Sequence, residues 1–478
     1  MKKQAFNPYL PSWEYIPDGE PYIFDGRVYI YGSHDSFGGI VYCTGDYVCW
    51  SAPVDDLGNW RYEGVIYRRT DDPLNKNNDC ALYAPDVAKG PDGRYYLYYV
   101  LESIDVVSVA VCDTPAGKYE FYGYVHYKDG IRLGEKEGDE PQFDPGVLCE
   151  GDKVYLYTGF VGHNDPTRHG AMVTVLSSDM LTIEEAPRFI VPGKHHSAGS
   201  GYEGHAFFEA SSIRKHGDTY YFVYSSELMY ELCYATSKSP TESFVYGGTL
   251  VANNDIGIGD YKPRTMPANF GGNNHGSIIE INGQWYVFYH RHTNGRYYSR
   301  QVCAEPITIA ADGSIKQVEL TSCGLNGGPL IGKDTYPAYI ACNLFTQGDE
   351  YPYMCKNGQW TDANHPIITG DGRDGDEVNG YIHNLRGDGV VGFKYFDCKD
   401  VKRIGVKVCG VTGSGRSGIM EVRLKWDGEV VGEIPIGHCS APTEFFSDVN
   451  IPDGVHALYF TFKGNGAGYV AFYEFTLE

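Results

Sequence analysis

Five polar side chains, Asp18, Asp86, Asp144, Glu209 and His275, stand 10 to 12 residues ahead of the central aromatic of a Tyr-rich stretch, at Tyr29, Tyr96, Tyr155, Tyr221 and Tyr286. Carboxylates that recur in such a register converge if the stretches are equivalent elements of one repeat. Hydrolysis of a glycosidic bond needs such convergence, because one carboxyl must protonate the leaving oxygen while a carboxylate on the other face activates water. Glu209 follows Phe207 and Phe208, and apolar neighbours keep a carboxyl protonated near neutrality, the profile of a general acid. Asp18, in Ile16-Pro-Asp-Gly-Glu-Pro21, has fewer apolar neighbours and suits the base; Glu20, two residues on, is its rival. Asp144, between Phe143 and Pro145, would be a third charge that raises the affinity of Glu209 for its proton. Taken singly, an acid before a strand more often ties a turn to the backbone. The shared register favours a common pocket.

The elements that must position these groups are hairpins. Asp25-Gly26, Asp92-Gly93, Gly151-Asp152, Gly217-Asp218 and Asn282-Gly283 fall between each polar residue and its aromatic stretch, and such dipeptides tolerate the positive φ of tight turns. Successive units are 58 to 68 residues apart, enough for a four-stranded sheet with loops. Self-similarity at that step predicts a five-bladed β-propeller, whose innermost strands run along a central channel. The pattern breaks at Gly324-Leu-Asn-Gly-Gly-Pro329. Beyond it, alternating strands such as Val390–Phe396, Ile419–Trp426 and Val455–Phe462 predict a β-sandwich of jelly-roll type. The expectation is an all-β chain, with a propeller over residues 1–330 and a sandwich over 331–478.

Composition narrows the partners. With 39 basic and 62 acidic residues the net charge is −23, which argues against nucleic acid and anionic membranes. A neutral substrate fits better, and 41 Tyr and 60 Gly suit short strands, tight turns and rings that stack on sugars. The start, Met1-Lys-Lys-Gln-Ala-Phe, carries no apolar run, and no stretch reaches membrane-spanning length. Thirteen cysteines without CxxC pairs read as reduced, mostly buried thiols. The expected location is cytoplasmic.

With these residues in view, the chain resembles glycoside hydrolase family 43, five-bladed propeller enzymes that remove arabinose or xylose from plant polysaccharides with inversion. The carriers are Asp18 in PDGEP, Ala84-Pro-Asp86, Asp144-Pro145, Glu209, and Asn274-His275-Gly276 followed by Trp285-Tyr286 and His290. The resemblance spans about residues 6–330. It implies Asp18 as general base, Glu209 as general acid and Asp144 as orienter of Glu209. It further implies Asp86 and Arg300 as substrate-binding groups. His275 would hold a calcium ion on the propeller axis, largely through water. Many members have Asp-Pro at the base, whereas this chain has Asp18-Gly19-Glu20-Pro21.

The segment Pro452–Phe462 and the closing Val470–Phe475 resemble family 6 carbohydrate-binding modules, which bind sugars through exposed aromatics and often hold a second calcium. Tyr381, Tyr395 and Trp426 are candidate aromatics, with core packing the plainer role for each. No organic cofactor is expected. The function expected is an exo-acting, inverting glycosidase that releases terminal α-L-arabinofuranose and/or β-D-xylose from arabinoxylan-derived oligosaccharides. The alternatives are a sugar-binding propeller without catalysis and a hydrolase of another glycoside, a galactoside or fructan.

Overall fold

The computed structural model describes residues 3–259, 261–262, 264–347, 355–356, 359–360, 365–410, 417–465 and 468–478. Four antiparallel sheets of four strands follow one another along the chain. Blade 1 runs from Glu20–Phe24 to Arg61–Tyr67, blade 2 from Asp86–Lys89 to Glu120–Tyr124, blade 3 from Gly146–Glu150 to Ile183–Pro192, and blade 4 from Phe207–His216 to Val245–Ala252. Blade 5 has three strands, Ser277–Ile281, Gln284–His292 and Arg300–Ile307. The N-terminal segment takes the place of its fourth. Tyr9 N–H donates to Val302 O, and the Asn7 side-chain amide both donates to and accepts from the Ala304 backbone, while Asn7 N–H donates to Ser322 O. The first residues of the chain thus close the ring against its last blade.

The Tyr-rich strands are apolar on both faces because each blade is packed on both sides. Successive side chains of a strand point to opposite faces. In blade 1, Tyr29 and Tyr31 pack against Tyr95 and Leu97 of blade 2, whereas Val28 and Ile30 pack against Phe288 and Val302 of blade 5. The other three gaps between blades are filled in the same way, by clusters centred on Tyr98 and Leu156, Tyr157 and Phe222, and Val223 and Val287. Close approach fixes the inner strands as well. A Cβ on Gly146 would lie 2.5 Å from Ser211 O, so only glycine lets blade 3 meet blade 4 at that height.

After the propeller, two six-stranded sheets face each other around Phe393, Phe396, Phe460, Phe462, Phe472 and Phe475, all fully buried. This is the sandwich expected from the sequence. It is joined to the propeller by polar contacts: buried Arg291 donates to Ala341 O and Tyr339 O, and buried Lys394 pairs with Asp255 at 3.1 Å. The buried cysteines Cys43, Cys49, Cys233, Cys303, Cys342, Cys398 and Cys439 are free thiols. Among the described residues no helix is long and apolar enough to cross a membrane.

Candidate active site

The inner strands of the blades bring all the sequence-selected groups but Asp86 to one end of the channel. A pocket of about 200 Å³ is lined by Asp18, Asp144, Glu209, His275 and Arg300, with Tyr42, Tyr83, Phe143 and Phe208 among its apolar walls. Asp18, Asp144 and His275 each stand two residues before their strand begins. Asp18 and Asp144 have left-handed backbone, at φ 59° and 43°, as do Cys43 and Met229 in the same wall and Ala210 beside Glu209. Such strain in residues that carry a Cβ concentrates where a side chain must be aimed. Glu209 reaches the pocket by another device. Pairing slips on both sides of it, between Phe207 and Ser212, and the resulting bulge turns the carboxyl inward. That bulge accounts for the longer interval of 12 in this blade.

The site is rich in acid and short of base. Arg300 donates to Asp18 Oδ1 at 3.0 Å and forks onto Asp35 at 2.8 and 3.0 Å. Asp144 accepts from Ala210 N–H at 3.0 Å. His275 Nδ1 lies 3.8 Å from Asp18 Oδ1 and 3.6 Å from Asp144 Oδ2. Burial pushes the Glu209 carboxyl up to about 8, and the Asp18 charge adds to it. Burial and the charges of Glu209 and Asp18 likewise hold Asp144 well above the usual carboxylate range. Burial lowers His275 to about 4, so its ring is neutral at pH 7. His290 is also held neutral by burial. Its Nδ1 accepts from Asp18 N–H at 3.3 Å, which leaves Nε2 to donate to Asn273 O at 2.8 Å.

Asp86 is not in this pocket, which corrects its expected role at a substrate hydroxyl. Pairing explains the error. In blade 1, Ile23 pairs with Val28 across four residues, whereas the equivalent pair in blade 2, Lys89 and Tyr95, encloses five. That added turn residue, together with an interval one shorter than the 11 of Asp18, offsets Asp86 by two positions, so Ala84 stands at the level of Asp18, and Ala84 does line the pocket. Asp86 aligns instead with Glu20, Gly146, Ser212 and Ser277, one layer deeper. There it accepts from Tyr22 Oη, Val87 N–H and Val147 N–H, each at 2.7 Å. Glu20, the rival base, lies in that layer too, paired with Arg214 at 2.6 Å. Sequence reasoning missed Asp35, Tyr42, Cys43 and Asn273. Asn273 adjoins the Asn274-His275-Gly276 motif and could have been read with it; Asp35 has no counterpart in the other blades and gave no signal.

Calcium takes six to eight oxygen ligands, and His275 offers a nitrogen. The feature that fits a hydrated ion beside it is Asn274, fully buried with neither amide atom hydrogen-bonded. Among the described residues, the group whose donor atoms converge within 4.8 Å is His205, Glu231 and Cys233. There the Arg264 guanidinium, 2.7 Å from Glu231, already supplies a positive charge.

The family model of glycosyl hydrolases family 43 matches residues 17–315. This chain belongs to that family. A xylosidase/arabinosidase of Thermoclostridium stercorarium is 63% identical to it over 98% of each chain. Among solved structures, a family 43 arabinoxylan arabinofuranohydrolase of Bacillus subtilis, with cellotetraose bound, shares the fold at 22% identity, a TM-score of 0.52, and coverage of 98% of this chain and 96% of the other. A family 43 β-xylosidase/α-arabinofuranosidase from a compost metagenome, solved with xylotriose in a calcium-free form, is 27% identical over 65% of this chain and 96% of its own, with a TM-score of 0.50. As a family 43 member the chain is a glycosidase built on a five-bladed propeller.

Proposed function

We propose that this enzyme removes terminal α-L-arabinofuranose and β-D-xylose, with inversion, from arabinoxylan-derived oligosaccharides. The observation that carries the proposal is the meeting of Asp18, Asp144 and Glu209, from three blades, in a pocket of about 200 Å³, a size that suits one terminal pentose ring rather than a running polymer. Asp18 is the general base: Arg300 balances its negative charge from 3.0 Å. Glu209 is the general acid, protonated at pH 7 because burial and the Asp18 charge hold its proton. Asp144 orients it through the Ala210 amide. Arg300 also faces the substrate, whereas Asp86 is structural. His275 would hold a calcium ion through water, with the amide of Asn274 available beside it. The chain divides near residue 330 into catalytic and sandwich domains. A cytoplasmic location, where imported oligosaccharides would be the substrate, is supported by the free thiols. The names of the relatives support the choice of sugars.

The test is nitrophenol release from a panel of nitrophenyl glycosides, α-L-arabinofuranoside and β-D-xyloside included. Turnover of either pentoside is expected, and its collapse in Asp18→Asn. Glu209→Gln loses less here than on natural oligosaccharides, because nitrophenol leaves with little protonation. Turnover of a galactoside or fructoside instead of the pentosides, or full activity in Asp18→Asn, overturns the reading.

A further inference from the structure

A second cavity, of about 560 Å³, lies between the propeller and the sandwich. Its size falls within the range of small-molecule sites, about 300–1,000 Å³. The propeller contributes Tyr261 and Met266, both exposed; the sandwich contributes Phe345, Tyr395, Trp426 and Tyr459. Phe345 and Trp426 meet edge to face, with centroids 5.7 Å apart at 84°, so the indole is held in place by a ring of the same wall.

The polar groups of this cavity divide into two sets. The charged ones are already matched. Asp255 pairs with Lys262 and Lys394 and accepts from Asn343 at 2.8 Å, Glu319 pairs with Lys394 at 3.1 Å and accepts from Tyr395, and Lys425 pairs with Asp427 at 3.0 Å. The walls therefore present no uncompensated charge to a ligand. The second set is unmatched. The Trp426 indole N–H and the Tyr459 hydroxyl, both on half-buried side chains, have no hydrogen-bond partner among the described residues. Aromatic faces for the C–H faces of a pyranose, unpaired donors for its hydroxyls and no net charge together describe a neutral sugar.

We propose that this cavity is a second, non-catalytic site that binds a neutral oligosaccharide of two or more rings. The inference does not depend on the roles given to Asp18 and Glu209. The probe is xylotetraose, with cellotetraose alongside, titrated calorimetrically into the full chain carrying Asp18→Asn and Glu209→Gln. Chromatography of the cell afterwards shows whether the probe stayed intact, which separates this test from that of the activity. Two binding sites are expected. Adding Trp426→Ala removes one of them, and adding Tyr459→Phe, which deletes only the hydroxyl, weakens that site about threefold to tenfold, the effect of one lost hydrogen bond. In the otherwise unchanged enzyme, both substitutions leave pentoside turnover as it was. The absence of any site that Trp426→Ala removes, whether one site or two are found, overturns the proposal.

Discussion

Two layers of the same channel hold buried carboxylates, and they differ in what surrounds them. The upper layer has Asp18, Asp144 and Glu209 facing a pocket, with Arg300 divided between Asp18 and Asp35. The lower layer, about 6–7 Å further along the strands at the usual rise per residue, has Glu20 and Asp86 around Arg214. Arg214 also lies over the Tyr22 ring at 4.3 Å and donates to Pro21 O and Ile213 O. In the lower layer Asp86 meets Tyr22, Val87 and Val147 and Glu20 meets Arg214; Glu20 Oε1 and Arg214 Nε are left without a partner, but neither residue lines the pocket. In the upper layer three acids crowd together and the space beside them is open. The contrast shows that burial and charge alone do not mark a catalytic carboxylate. What marks it is incomplete compensation beside a space the substrate can enter.

Substitutions that exchange the fates of the two layers would break this contrast. The largest effect is expected from Asp18→Asn, which should lower kcat on oligosaccharides by about 10²–10⁴-fold, the usual worth of a positioned acid or base, while the melting temperature stays put. Arg214→Met should do the reverse, costing about 3–5 kcal/mol of stability because it removes the cation between Glu20 and Asp86 and leaves the buried Asp86 carboxylate uncompensated, with kcat changed far less. Thermal unfolding and steady-state kinetics on both proteins check this. A smaller effect is expected from Asp86→Asn. It should lose about 1–3 kcal/mol, since buried amides of Val87 and Val147 lose a charged acceptor, and KM should not move. A raised KM without a loss of stability would return Asp86 to the substrate.

The smallest effect concerns pH. Glu209 and Glu20 are both raised by burial to about 8, from 4.5. For Glu209 as acid, kcat/KM should fall above pH 8, where its proton is lost. For stability, these two carboxyls bind more protons in the folded than in the unfolded chain between about pH 4.5 and 8, while buried His275, His290 and His292 act in the opposite sense. The contribution of the two carboxyls to stability therefore falls as pH rises through that window. Glu209→Gln removes its own share of that fall and leaves that of Glu20. Melting temperatures from pH 5 to 8 should decline less steeply in the variant than in the wild type.

Much of this was legible because hairpins are local. The turn dipeptides and alternating Tyr-rich strands gave the five blades, and the interval of 11 placed Asp18, Asp144 and His275 at one height. The errors have equally local causes. Asp86 stands 10 rather than 11 residues before its aromatic, and one extra residue in the blade 2 turn adds a second position, which together drop it by a layer; interval counting cannot see where an added residue falls. Tertiary partners left no trace either. Asp35 reaches Arg300 across a separation of 265 positions, and Tyr395 and Trp426 became walls of one cavity only when sandwich met propeller. The missing fourth strand of blade 5 was invisible because its substitute, around Asn7 and Tyr9, does not have strand-like alternation.

That substitute also sets a timetable. The ring closes through bonds between Asn7 and residues 304 to 322, so the seam cannot form on a ribosome until nearly the whole propeller has emerged. Until then the first ten residues wait unpartnered, and the Arg300–Ile307 strand, once it emerges, has one bare edge open to pairing with any stray strand until they dock. A tag or truncation at the N-terminus would therefore be felt at the far end of the ring, in the blade that carries Arg300.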